Sequence, residues 1–298
     1  MTLKTVAVVA QGDMGAGTGG QLVRHGLRVI TNLSGRSARS RALAEQAGME
    51  DAGDDATLIR EADMFLSILP PGQAVALAKD LAAPIKSAGK TFLFADCNAV
   101  APATKTEIQA IVEQAGARFV DVGILGNPPS AKNNTTRYYA SGPHAEEFTE
   151  LKNFGLNIIN CGAEIGRAAA IKMCFASMTK SMVAMAAETF AAAEALGVFD
   201  EVVHELKIGH KDGFDWSADR VTQTPPKAYR WVYEVEEIGK TFAALGLPGA
   251  TCTGAAEMFQ LIADSPLGEE VVENRKRGNT LEDCSKVTAE HLAKVKRR

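Results

Sequence analysis

Val6-Ala7-Val8-Val9-Ala10 is an apolar run that breaks into Gln11-Gly12-Asp13-Met14-Gly15-Ala16-Gly17 and resumes as a helical pattern over Thr18 to His25. A strand, a glycine turn and a helix in that order form a phosphate-binding unit. The chain must turn sharply, bring backbone close to a pyrophosphate without a Cβ in the way, and aim helix N-terminal N–H groups at the anion. Gly12 and Gly15 fall on the second and third glycines of the dinucleotide fingerprint, while Ala10 takes the first, so the pattern is Ala-x-Gly-x-x-Gly. A second strand, Leu27 to Asn32, follows at βαβ spacing, and no Gly-Lys-Ser/Thr points to a nucleoside triphosphate loop. Dinucleotide binding is the reading this context supports, with an ordinary glycine turn as the alternative.

The pattern outward from that turn alternates strands and helices. Met64 to Leu69, Thr91 to Ala95, Arg118 to Val122, Tyr138 to Ser141 and Leu156 to Asn160 read as strands. Ala42 to Ala47, Gln73 to Leu81 and Ala103 to Ala115 read as helices, with Gly48, Gly89 and Gly116 as their stops. This alternation predicts a doubly wound α/β Rossmann domain over residues 1–162. Residues 163–298 are expected to form an all-α domain that opens with one long helix, Arg167 to Leu196. Past Arg167 that helix carries only Lys172, Lys180, Glu188 and Glu194 as charges. So apolar a helix is expected to be buried nearly all round, joining the domains and packing against a partner subunit.

Composition narrows the function classes. The 298 residues are 46% hydrophobic and 23% charged, with a net charge of -4, which fits an ordinary two-domain protein and argues against nucleic acid as a partner. Lys294-Val295-Lys296-Arg297-Arg298 is read as a frayed basic tail. No apolar leader precedes the first strand and no uncharged stretch reaches the roughly 18 residues of a membrane span, so a cytoplasmic protein without membrane contact is expected. Cys97, Cys161, Cys174, Cys252 and Cys284 lack metal-ligand spacing and read as reduced core thiols. His25, His144, His204, His210 and His291 are equally dispersed, so no metal is expected.

In an open α/β sheet, ligands lie beyond the carboxyl ends of the strands. After the second strand, Asn32-Leu33-Ser34-Gly35-Arg36-Ser37 lacks the acid that would meet a ribose 2′-hydroxyl, and Arg36 suits a 2′-phosphate, favouring NADP over NAD. Leu69-Pro70-Pro71 makes a rigid turn beside the cofactor. In Asp96-Cys97-Asn98-Ala99-Val100-Ala101-Pro102, Asn98 suits either a nicotinamide or ribose contact or a helix cap. Gly123 and Gly126, within Asp121 to Pro129, would let backbone N–H groups face a substrate carboxylate. Lys172 is the sharpest catalytic candidate because burial on an apolar helix would favour the neutral amine that proton transfer needs. Snorkelling to solvent is its alternative, and Lys180, two turns on, could share its face. Asp212, Asp215 and Asp219 read as a solvated helix start, and Trp216, Tyr229, Trp231 and Tyr233 as core aromatics or pocket walls.

Gly12 to Gly15, Ser67 to Pro71, Asp96 to Pro102, Asp121 to Pro129 and Gly166 to Lys180 together resemble the β-hydroxyacid dehydrogenase superfamily. Arg230-Trp231 through Gly254-Ala255-Ala256-Glu257-Met258 is similar to its branch with a DUF1932 C-terminal domain. The resemblance implies a 6-phosphogluconate dehydrogenase-like fold and a homodimer whose clefts are completed by the partner. With the strand-end reading, the cofactor contacts expected are Gly12, Asp13, Met14, Gly15, Ser34, Arg36, Ser37, Leu69, Pro70 and Asn98. Substrate contacts are implied at Gly123, Leu125, Gly126 and Trp231. Lys172 matches the superfamily's catalytic lysine, which implies proton exchange with a small-molecule substrate while hydride moves to or from NADP or NAD. Two departures stand out: the family's Ser-Gly-Gly falls on Leu125-Gly126-Asn127, and its asparagine four residues past the lysine is Ala176. They point to a bulkier or less acidic substrate. Imine reduction shares this architecture, and a non-catalytic dinucleotide-binding protein is the reading from another class.

Overall fold

The structure is a computed structural model and describes residues 3–295. The chain divides into two compact units, Met1–Met173 and Cys174–Arg298. The first is built on an eight-stranded sheet of β1 (Thr5–Val9), β2 (Arg28–Thr31), β3 (Glu50–Asp51), β4 (Met64–Ser67), β5 (Leu93–Asp96), β6 (Arg118–Leu125), β7 (Arg137–Ser141) and β8 (Asn157–Asn160). Its spatial order is β3-β2-β1-β4-β5-β6-β7-β8, and every pair is parallel except β6 with β7. The chain therefore leaves β1 toward β2 on one side and returns to β4 on the other, the reversal at which doubly wound sheets bind ligands.

The connecting helices are α1 (Asp13–Arg24), α2 (Ala38–Gln46), α3 (Asp55–Glu61), α4 (Ala74–Ala88), α5 (Pro102–Ala115) and α6 (Ala145–Phe148). Strand alternation sorts the core into two faces. Val6 and Val8 of β1 join Leu22 of α1, Leu66, Ala95, Val120 and Tyr138 on one side. Ala7 and Val9 join Phe65, Phe94 and Phe119 with Leu58, Leu81 and Ile108 of α3, α4 and α5 on the other. Both faces are covered, so the central strands are apolar throughout instead of alternating.

Several expectations need correction. Helix α1 begins at Asp13, not Thr18, so the glycine turn is itself the helix's first turn. Strand β6 continues past Val122 to Leu125, because β7 pairs with it antiparallel in the register Asp121↔Ser141 through Leu125↔Arg137. A connection without a crossover helix returns the chain only as an antiparallel neighbour, which is why the sheet is not parallel throughout. Strand β3 and helix α3 were not foreseen.

Helix α7 (Arg167–Leu196) runs from the first unit into the second. The second unit continues with α8 (Phe199–Gly209), α9 (Lys211–Gln223), α10 (Ala228–Ala244), α11 (Ala250–Asp264) and α12 (Leu281–Val295). Phe190 of α7 meets Phe199 and Phe214 edge to face at 6.2 and 6.1 Å. Within the single chain α7 is not buried all round: Phe175, Met178, Met182 and Met185 are 47, 67, 40 and 64% exposed. Lys294 and Val295 of the expected basic tail belong to α12, and Lys296, Arg297 and Arg298 lie outside the described residues. No helix among the described residues is long and apolar enough to cross a membrane.

Candidate functional site

The turn at Gly12 has the geometry a pyrophosphate requires. Gly12 is the extended N-cap of α1, and no side chain caps that helix end, so the first-turn N–H groups lack intrahelical partners. A Cβ on Gly12 would meet nothing within 4 Å, whereas one on Gly15 would overlap the carbonyl oxygen of Ala10. Gly15 thus lets α1 sit directly on the exit of β1. Gly17 does the same for the loop after β6, since a Cβ there would lie 2.8 Å from the Pro129 carbonyl oxygen. These observations fit a dinucleotide phosphate at the start of α1. Gln11 is buried beside the turn and ties it to β2 through its side-chain amide, which donates to Thr31 Oγ1 and to the Asn32 carbonyl.

The loop after β2 separates its expected cofactor residues. Ser34 Oγ donates to the Gly53 carbonyl at 2.6 Å, and Ser37 Oγ caps α2 by accepting from Ser40 N. No hydrogen bond to a described residue holds the Arg36 guanidinium. Two further arginines, which sequence reasoning missed, shape this loop. Arg41 donates to the carbonyls of Leu33 and Arg36, clamping the turn, and Arg39 pairs with Asp13 on the first turn of α1 at 2.6 Å. Asp51 accepts from Leu33 N and Gly53 N, and Asp55 accepts from Asn32 Nδ2, so the acids beside this loop are engaged in building it.

At the ends of β4 and β5, Asn98 does not cap a helix. The N-cap of α5 is Ala101, without a side-chain bond. Instead Asn98 Nδ2 donates to Ser67 Oγ at 2.8 Å and to Asp96 Oδ1, while its Oδ1 accepts from Leu69 N at 2.5 Å. One amide hydrogen ties the end of β5 to that of β4, and the other returns to Asp96 of its own strand. Pro70 then leads into a short 3-10 turn, Pro71–Gln73, before α4.

The densest polar cluster was legible only in part. Asp96 and Asp121 are register partners on β5 and β6, and both are fully buried. Lys105 of α5 is buried between them, with its ammonium 2.6 Å from Asp96 Oδ2 and 3.3 Å from Asp121 Oδ1. It also donates to the carbonyls of Asp96 and Val122. Burial opposes the charge on Lys105, but the Asp96 and Asp121 carboxylates overturn that penalty and raise its pKa above the ordinary lysine value. Asp121 Oδ2 accepts from Ser141 Oγ and from the backbone N–H groups of Gly166 and Ala169, and Ser141 Oγ accepts from Ala168 N. The first turn of α7 is therefore capped by a carboxylate and a hydroxyl from the sheet.

Lys172, half-buried, lies on the next turn. A Cβ on Gly123 would fall 2.7 Å from the Ala168 carbonyl oxygen and 3.2 Å from Lys172 Cβ, so glycine there lets α7 close on β6. Gly123 and Leu125 belong to β6 and pair with β7, and Leu125 is buried; Gly126, at φ +111°, starts the turn that follows. Of the two glycines whose backbone was expected to face a carboxylate, Gly123 thus lies within a paired strand and Gly126 in the turn beyond it. Ala176 is buried as well. The ammonium of Lys180 lies 2.7 Å from Glu234 Oε2 and 5.0 Å from the Trp231 ring centroid. Trp231 in turn packs edge to face on Phe259 at 5.2 Å. Asp215 and Asp219 lie on α9, where Asp215 pairs with Lys211 and Asp219 accepts from Gln223, an exposed helix face. Among the described residues no group of three or more histidine, cysteine or acidic side chains is placed to hold a metal.

A Rossmann-type sheet with an open glycine turn at the start of α1, followed by a helical unit, defines the class of dinucleotide-binding proteins. Residues 5–163 match the NAD binding domain of 6-phosphogluconate dehydrogenase, and residues 193–262 match DUF1932, a domain of unknown function. The chain belongs to the β-hydroxyacid dehydrogenase-like superfamily of NAD(P)-dependent oxidoreductases. It is 27% identical over 245 residues to an uncharacterized 28.5 kDa protein of Methanothermus fervidus, covering 82% of this chain and 93% of that one. It is 24% identical over 225 residues to the mitochondrial 3-hydroxyisobutyrate dehydrogenase of Drosophila melanogaster, covering 74% and 68%. The solved structure of the conserved protein MTH1747, described as similar to 3-hydroxyacid dehydrogenases, is 28% identical with a TM-score of 0.61, covering 87% of this chain and 97% of that one.

Proposed function

We propose that the chain is an NADP-preferring oxidoreductase in which Lys172 exchanges a proton with the hydroxyl or carbonyl oxygen of a polar substrate. The observation that carries this reading is the seating of Lys172: Gly123 admits it against the carboxyl end of β6, and Asp121 caps its helix. The nicotinamide cofactor, when bound, supplies the hydride donor or acceptor. Gly12 and the first-turn amides of α1 would hold its pyrophosphate, and Arg36 would meet a 2′-phosphate. Ser34, Ser37 and Asn98 would act through the loop and strand ends they fasten. As a neutral amine Lys172 takes the hydroxyl proton during oxidation; as an ammonium it returns a proton to the carbonyl oxygen during reduction.

The functional division at residues 162 and 163 follows from the same reading, as does a homodimer that covers the exposed face of α7. Leu125 and Ala176 offer no polar group where the superfamily has serine and asparagine, which favours a bulkier or less acidic substrate than a short hydroxy acid. A panel of 3-hydroxyisobutyrate, larger hydroxy acids, sugar acids, aldehydes and imines, assayed with NADP(H) and NAD(H), tests the proposal. Lys172→Ala is expected to lower turnover by about 10²- to 10⁴-fold, the usual contribution of a positioned acid-base group. Equal turnover in the variant removes Lys172 from the chemistry, and activity confined to imines reassigns the reaction to C=N reduction.

A further inference from the structure

We propose that Asp121, clamped by Lys105 and joined by Ser141, is a positioning residue that aims Lys172 by fixing the first turn of α7 to the sheet. This deepens the proton-transfer reading and rests on it. Helix caps are commonly supplied by the residue just before the helix, which sets where the helix starts. Here the caps come from β6 and β7, with Asp121 lying 45 residues before Gly166 and 48 before Ala169. A cap from the sheet sets the direction of the helix as well. Two points on one strand register it: Asp121 holds the N–H groups of Gly166 and Ala169, and Gly123 lies against Ala168 and Lys172 Cβ. Residues i and i+2 of a strand share a face, so both contacts act from the same side of β6.

Asp121 needs its own orientation to be fixed, because a free carboxylate would rotate between partners. Ser141 Oγ donates to one of its oxygens and Lys105 faces the other. The cluster then continues away from α7: Lys105 bridges to Asp96, Asp96 accepts from Asn98, and Asn98 receives the N–H of Leu69 and donates to Ser67. An unbroken chain of polar contacts thus links the loop before Pro70 to the helix that carries Lys172. A neutral side chain would cap α7 without burying charge, whereas the pair of buried carboxylates and their lysine make the anchor rigid as well as polar.

Asp121→Asn and Ser141→Ala test the role, compared with wild type and Lys172→Ala on the panel compound with the highest turnover. Three quantities are read: kcat against KM, the pH-rate limb that Lys172→Ala abolishes, and hydrogen exchange of the Gly166, Ala168 and Ala169 amides. Asp121→Asn is expected to lower kcat about tenfold or more, with the KM for NADP within about twofold, since misplacing a reacting group costs rate and not cofactor binding. The lysine limb moves with it, and the three amides exchange roughly fivefold faster or more. Faster exchange with unchanged kcat and pH limb reduces the contact to a structural cap and overturns the proposal; unchanged exchange in both Asp121→Asn and Ser141→Ala overturns the cap itself, since an asparagine oxygen alone can still accept. If Asp121→Asn does not fold, Ser141→Ala keeps every charge and the same outcomes are read from it. Full turnover in Lys172→Ala sinks the proton-transfer reading separately, while amide exchange still judges the cap.

Discussion

Lys105 occupies a position that charge arithmetic makes obligatory. Asp96 and Asp121 sit side by side on parallel strands with no exposure to water, and two carboxylates there repel unless a cation lies between them. Removing that cation is more damaging than removing the whole cluster would be, because it strands the remaining charges. Lys105→Met is expected to lower unfolding free energy by about 3–5 kcal/mol, the range for breaking a buried pair from one side. The pH dependence has a defined sign. The folded pKa of Lys105 is raised above its ordinary 10.5, so its stabilisation is complete at neutral pH and is lost only as pH climbs through the folded value. Urea titrations are expected to show the variant's deficit throughout pH 6 to 9, largest where the stranded carboxylates stay ionised, and narrowing only above about pH 10.5 as first the unfolded and then the folded wild type gives up the Lys105 proton. A deficit that vanishes at neutral pH contradicts the pairing.

The loop from β2 to α2 shows how an element converts sequence into selectivity. Gly35 takes φ +69°, Ser37 caps the helix, and Arg41 clamps the turn from behind, which leaves Arg36 the guanidinium in this loop without a hydrogen bond to a described residue. If Arg36 meets a 2′-phosphate, Arg36→Ala is expected to raise the KM for NADP by about tenfold or more and leave that for NAD within about twofold, since a charge-assisted contact is worth 1.5–3 kcal/mol. Arg39 is held by Asp13 and is expected to contribute less. An unchanged NADP to NAD ratio removes the basis for the preference.

This loop, the glycine turn and α7 were legible because each rests on local chemistry: a positive-φ glycine, an apolar run, a helical period. Lys105 was not. A lysine inside a helical pattern reads as solvated until two acids from distant strands are known to share a register. β3 escaped because Glu50-Asp51 carries no apolar signal, α3 because seven residues with only Leu58 and Ile59 apolar among larger side chains are too short to show a helical period, and the last residues of β6 because Gly123 inside a strand reads as a turn. Lys172 and Lys180 could not be separated by period alone; what packs on them differs, Gly123 of β6 against the Cβ of Lys172 and Glu234 of α10 against the Lys180 ammonium.

At the scale of the whole molecule, an aligned apolar stripe on α7 stands out. Phe175, Met178, Met182 and Met185 recur at steps of three, four and three residues, which at 100° per residue places them within roughly 80° of helix arc. Large side chains aligned and exposed in this way are uncommon on a monomer and mark an interaction face. Unbranched methionine adapts to a facing surface, so the stripe suits contact with a second copy of the same helix. Light scattering on a sizing column is expected to give twice the chain mass of 31.6 kDa. The double variant Met178→Glu, Met185→Glu places like charges on both sides of any such two-fold contact and is expected to shift the population to monomer. Because the homodimer proposal has each cleft completed by the partner, the monomeric variant is expected to lose turnover as well, and dilution of the wild type is expected to show the same coupling. A wild-type protein that stays at 31.6 kDa at micromolar concentration, or a monomeric variant with full turnover, separates the stripe from the active enzyme.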